Sequence, residues 1–157
     1  MRAISVAMAA LLMTGTMVGT AGAAVAKTVE DGTSAAAPWA SVSGECQVQG
    51  YRGSIKAYYQ ILRTQDFINR FNWYVSSGGS RLGKKSNIEI RVMHNRPHSL
   101  DRPIIVWNSK DNVRKGPGGL SKIVRVERRH RIYITARFDF DRPGLPDFRC
   151  QARTRDF

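Results

Sequence analysis

The stretch VRVERRHRIYITARFDF, Val124 to Phe140, sets Arg125, Arg128, Arg129, Arg131 and Arg137 among alternating hydrophobic and polar residues. A guanidinium grips phosphate or carboxylate through parallel N–H bonds and stays charged at any physiological pH. Tyr133 falls between Arg131 and Arg137 at a period of two, and Arg70 and Tyr74 share the polar phase of NRFNWYV. An exposed ring stacks on a base or sugar, so rings mixed with guanidiniums suit an anionic polymer better than bare charge does. Arg70, Tyr74, Arg125, Arg128, Arg129, Arg131, Tyr133 and Arg137 are therefore the candidate binding residues. Arg128 and Arg129 stand in ERRH between two strand-like runs, where the competing role is that of a solvated hairpin corner.

Catalytic groupings are weaker. A small ribonuclease is the most reasonable enzyme, with Glu89, Glu127, His130 and Arg131 of the right types for base, acid and phosphate ligand, but no spacing brings them together. There is no Gly-x-Ser-x-Gly. RKGPGGLSK has the glycines of a phosphate loop but lacks Gly-Lys-Ser/Thr, and it reads as a hairpin loop. His94 and His98 have zincin spacing, yet Pro97 forbids the helix that would align them. Asp139, Asp141 and Asp147 have calcium chemistry, but turn capping and arginine pairing explain them more cheaply. A protease-inhibitor loop, KDNVRKGPGGLS, carries three glycines and no neighbouring disulfide, which counts against the rigidity such a loop needs. No residue set demands a metal or an organic cofactor. The leading expectation is a binding or structural module without catalysis.

Strands must hold these side chains. RIYITARFDF puts Ile132, Ile134, Ala136, Phe138 and Phe140 on one face and Arg131, Tyr133, Thr135, Arg137 and Asp139 on the other. NIEIRVMH turns Ile88, Ile90 and Val92 inward; NRFNWYV turns Phe71, Trp73 and Val75 inward and Arg70, Asn72 and Tyr74 outward. Weaker strands are ECQVQGYR, IKAYYQILR, PIIVWNS, KIVRVE and FRCQARTR. Turn-formers separate them: SSGGSRLGKK, RPHSLDRP, KDNVRKGPGGLS, ERRH and DRPGLPD. Seven or eight short strands without helical periodicity predict an all-β antiparallel sandwich, immunoglobulin-like at low resolution. The triplets Asn95-Arg96-Pro97, Asp101-Arg102-Pro103 and Asp141-Arg142-Pro143 suit strand ends; the competing role, which matters if loops from one end of the sandwich cluster, is to hold Arg96, Arg102 and Arg142 on stiff loops facing anions.

Upstream, Met1-Arg2, an apolar run and the small residues AVA at 24–26 read as a signal peptide over residues 1–26. Residues 27–43, KTVEDGTSAAAPWASVS, read as a disordered tether, which leaves 44–157 as one domain with no transmembrane segment in the mature chain. Cys46 and Cys150, near the two ends of that domain, are expected to form a disulfide in an oxidising compartment. The formal charge of +13 becomes +12 without Arg2, and such an excess favours acidic partners outside the cell: wall polymer, nucleic acid or acidic protein. Its other role is to keep the protein soluble.

In layout, and in phrases such as RVMHNRP and FDRPGLPDFRC, the chain resembles small exported one-disulfide β-domain proteins of high-GC Gram-positive bacteria, mostly of unassigned function. The resemblance implies a secreted or wall-associated β domain and carries no site residues. Copper polysaccharide oxygenases are similar in size, but they use a mature N-terminal histidine that a cut near Ala26 does not expose.

Overall fold

The computed structural model of the chain describes residues 38–79 and 81–157. The predicted signal peptide and residues 27–37 of the predicted tether lie outside the described residues. Eight strands follow in order: β1 (Ala40–Val48), β2 (Tyr51–Ile61), β3 (Gln65–Ser76), β4 (Asn87–His94), β5 (Arg102–Asn108), β6 (Gly116–Glu127), β7 (Ile132–Phe140) and β8 (Phe148–Arg153). They form two four-stranded antiparallel sheets, ordered β1-β2-β3-β6 and β5-β4-β7-β8. This is the all-β sandwich the alternation predicts. Its β1-β2-β3 meander is not the strand order of immunoglobulin domains, so the likeness stops at two packed antiparallel sheets. No helix among the described residues is long and apolar enough to cross a membrane.

The period of two selects the core. Ile88, Ile90, Val92, Ile132, Ile134, Ala136, Phe138 and Phe140 from one sheet meet Ile55, Ala57, Ile68, Phe71 and Val75 from the other in a single buried cluster. Each large apolar side chain fully buried there contributes about 1.5–3 kcal/mol. Gly53 is needed opposite Phe138: a Cβ on it would stand 2.4 Å from the ring, which fills the space a side chain would occupy.

The two flanks of the sandwich close differently. β1 and β8, each an edge strand, are joined by the Cys46–Cys150 disulfide with a Cα–Cα distance of 5.8 Å. Near the other flank, Trp73 of β3 and Trp107 of β5 bring their rings to 5.6 Å. Trp73 is only partly buried and lies across Gly118, where a Cβ would come within 2.2 Å of the indole Nε1.

Three boundaries differ from the sequence reading. β1 begins at Ala40, ahead of the domain start expected at Gly44. ECQVQGYR is two strands, because Gln49 (φ 46°) and Gly50 (φ 79°) make a two-residue turn with both residues left-handed. GPGG, expected to be loop, is the start of β6, since its glycines let that strand pass close to Trp73.

Candidate polyanion interface

The outward faces of the two sheets differ in which of their cations meet a carboxylate of the chain. On the β5-β4-β7-β8 sheet, arginines and carboxylates of the chain neutralise one another. Glu89, 9 % exposed, accepts from Arg91 Nε at 2.7 Å and lies 3.5 Å from Arg137 Nη1. Asp139 holds Arg149 and also faces Arg137 Nε at 3.5 Å. The Asp139 hydrogen bond pushes the Arg149 pKa up further. Arg153 pairs with Asp156 at 3.1 Å and sets its guanidinium 3.9 Å from the Tyr133 ring centroid.

Tyr133 is 7 % exposed, and its hydroxyl donates to Asp101 Oδ2 at 2.7 Å. Burial, and then that bond, push the phenol pKa up. The Arg96 backbone N–H and the Tyr133 hydroxyl hold the Asp101 carboxyl below its usual range. The expectation of an exposed row of Arg131, Tyr133 and Arg137 is therefore corrected. Alternation does place Tyr133 and Arg137 on the outward side of β7, but β7 lies between β4 and β8 and long side chains from these strands cover it. Arg131 is exposed at the mouth of the β6–β7 turn, where its carbonyl accepts from Asn95 N–H at 2.8 Å.

The β1-β2-β3-β6 sheet carries the other three strand candidates, Arg70, Tyr74 and Arg125. Register places Tyr58 beside Arg70, Lys56 beside Asn72, Ser54 beside Tyr74 and Arg125 beside Phe67. Arg125 sets its guanidinium 5.7 Å from the Phe67 ring centroid, and Lys56 Nζ stands 5.2 Å from that of Tyr58. Trp39, just ahead of β1 and 46 % exposed, leans on Phe67 with ring centroids 6.1 Å apart, and Tyr74 is 52 % exposed. Two carboxylates on this face, Glu45 and Glu127, are taken by Arg52 and Arg129. Among the described residues, no carboxylate is within ion-pair distance of Lys56, Arg70 or Arg125.

A pocket of about 320 Å³ on this face is lined by Trp39, Tyr58, Asn69 and Arg70. Another, of about 310 Å³, lies among the loops that follow β3 and precede β6, with Arg81, Arg114 and Lys115 around Leu82 and Val113. Arg128 and Arg129 occupy the β6–β7 corner at the Phe67 end. Arg129 is paired with Glu127 at 2.6 Å. The Arg128 charge opposes the stronger effect of burial, which raises the Asp66 pKa.

In the ribonuclease set, Glu127, His130 and Arg131 share the β6–β7 corner, where His130 N–H donates to the Glu127 carbonyl at 2.9 Å, but the Glu127 carboxylate pairs with Arg129, the His130 ring sits 4.1 Å from that of His94, and Glu89 lies with Arg91 and Arg137. Burial, then the His130 and Arg96 charges, lower the His94 pKa against the pull of Asp101. Asp141 accepts from Lys85 N–H at 2.8 Å and Asp147 from Arg142 N–H at 3.2 Å, both as loop caps. The Asx-Arg-Pro triplets sit at strand ends as expected. Arg96 and Arg102 flank the loop after β4, while Arg142 follows β7 at the opposite end of that antiparallel pair, so the three do not share one anion.

Trp39, Lys56, Tyr58 and Phe67 are the residues that sequence reasoning missed. Lys56 and Tyr58 alternate with buried Ile55, Ala57 and Tyr59, a signal present in IKAYYQILR. Phe67 was hidden by a bulge between Ile68 and Arg70, which shifts the phase and sends Ile68 inward. Trp39 was assigned to the tether. Compared with family models, with curated proteins and with solved structures, the chain finds no match in any of the three.

Proposed function

We propose that the protein is an exported, non-catalytic module that binds an anionic polymer outside the cell on the outward face of the β1-β2-β3-β6 sheet. The observation that carries this reading is the contrast between the faces: Lys56, Arg70 and Arg125 stand beside the half-buried, outward-facing rings of Tyr58 and Phe67 without a carboxylate partner among the described residues, whereas Arg91, Arg137, Arg149 and Arg153 hold carboxylates of their own chain. A free guanidinium meets an incoming anion without first losing an internal partner. The chain's excess positive charge draws such an anion in. Export is supported by the disulfide, a bond that persists in oxidising compartments.

The test is positional. Binding to inorganic polyphosphate is titrated at rising salt for two double variants that change net charge equally, Arg70→Ala with Arg125→Ala and Arg91→Ala with Arg149→Ala. The first is expected to lose at least tenfold in affinity and to flatten the salt dependence by about one power of salt per lost contact. The second is expected to stay near wild type. Equal losses would mean that only the overall field attracts polyanions, and the proposal would fall.

A further inference from the structure

Resting on that reading of the face, we infer that its polymer is single-stranded nucleic acid, with a base held between Trp39 and Tyr58. The face offers Trp39, Phe67, Tyr58 and Tyr74 alongside Arg125, Arg70 and Lys56, close to one ring for each cation. Each nucleotide of an unpaired strand presents one flat π-face and one negative charge, which is the same pairing. A polyphosphate or polyol-phosphate chain has charge but no ring to stack. A duplex has rings but hides them in its own stack.

Placement agrees with this chemistry. Tyr58 lies on β2 and Phe67 and Tyr74 on β3, the two central strands, and sheets that present aromatics on central strands stack unpaired bases on them. Tyr74 lies four residues along β3 from Arg70, the cross-strand neighbour of Tyr58. At ~3.3 Å per residue that separates the two stacking stations by about 13 Å.

The pocket of about 320 Å³ at the Trp39 end combines two rings with the Asn69 amide and the Arg70 guanidinium. Rings grip a base by its faces, an amide can both donate to and accept from a base edge, and a guanidinium takes the phosphate. At the opposite end the track runs past Tyr74 to Arg81, Arg114 and Lys115, since Val75 pairs with Gly116, the residue after Lys115.

The disulfide-bonded protein is titrated with a twelve-nucleotide oligothymidylate, a twelve-base-pair duplex and polyphosphate of matched charge, with tryptophan fluorescence as the reporter. Oligothymidylate is expected to bind at least tenfold more tightly than either competitor and to quench Trp39, the exposed indole. Trp39→Ala and Tyr58→Ala should each weaken oligothymidylate binding roughly 10- to 100-fold with an unchanged salt slope, because stacking releases no counterions. Trp39→Phe keeps a ring, so it should abolish the quench while binding stays within a few-fold. Equal affinity for polyphosphate or duplex, with Trp39→Ala silent, overturns the base-binding inference and leaves the polyanion face standing. Absence of salt-dependent binding to all three probes overturns both.

Discussion

Replacing Cys46 and Cys150 together by serine should bring the domain near the limit of stability. The bridge spans 104 positions and ties together two edge strands, β1 and β8, each of which has only one ladder partner. In the chain-entropy treatment, a loop of roughly one hundred residues contributes about 4.7 kcal/mol by restricting the unfolded chain. Small domains have only ~5–15 kcal/mol in total, so the loss is a large fraction. With a urea m-value of about 1.5 kcal/mol/M, the unfolding midpoint should fall by about 3 M, and m itself should rise as the uncrosslinked chain exposes more surface. Equilibrium urea unfolding of wild type and the double serine variant measures both quantities. Amide hydrogen exchange should show the added opening first in β1 and β8, before β3 and β4, which have partners on both sides. A loss below about 1 kcal/mol, or new openings confined to the central strands, would refute the claim that this bridge staples the two edges.

Gly53→Ala should destabilise by about 1–3 kcal/mol, because its Cβ would meet the buried Phe138 ring; a Phe138→Leu second change should recover part of that loss in thermal melts. Gly118→Ala should move the Trp73 indole and shift tryptophan emission; an unchanged spectrum would show that the ring does not cross that glycine. His94 is held below its ordinary 6.5, so the stability it contributes is present above that value and is lost as pH falls through the lower folded pKa. His94→Gln should therefore flatten the decline in stability between pH 7 and pH 5, and an unaltered slope in urea unfolding at the two pH values would contradict this.

Alternation made the core legible, since Ile132, Ile134, Ala136, Phe138 and Phe140 needed only a period of two to be assigned inward, and all are buried. Cys46 and Cys150 were legible as partners from their places near the two ends of the domain; that their strands are the two edges was not. What alternation cannot convey is what lies over an outward residue. Tyr133 and Arg137 have the correct phase, but apart from Asp139 of β7 itself the carboxylates and arginines that cover them come from β4, β8 and the loop at Asp101, separated widely in sequence. Bulges and unusual turns hid the rest. The phase shift near Ile68 turned Phe67 outward, and Gln49 in a left-handed turn disguised the β1–β2 corner. The basic knot at Val124 to Phe140 is thus divided: Arg125 faces outward on one sheet, Arg137 on the other, and Arg128 and Arg129 form the corner between them.

Backbone amide chemical shifts followed during titration with oligothymidylate report which face of the sandwich meets the ligand. Shifts are expected to concentrate at Lys56, Tyr58, Phe67, Arg70, Asn72, Tyr74 and Arg125, with little change at Glu89, Arg91, Arg137, Asp139 and Arg149. Shifts centred on the second group, or spread evenly over both sheets, would contradict it.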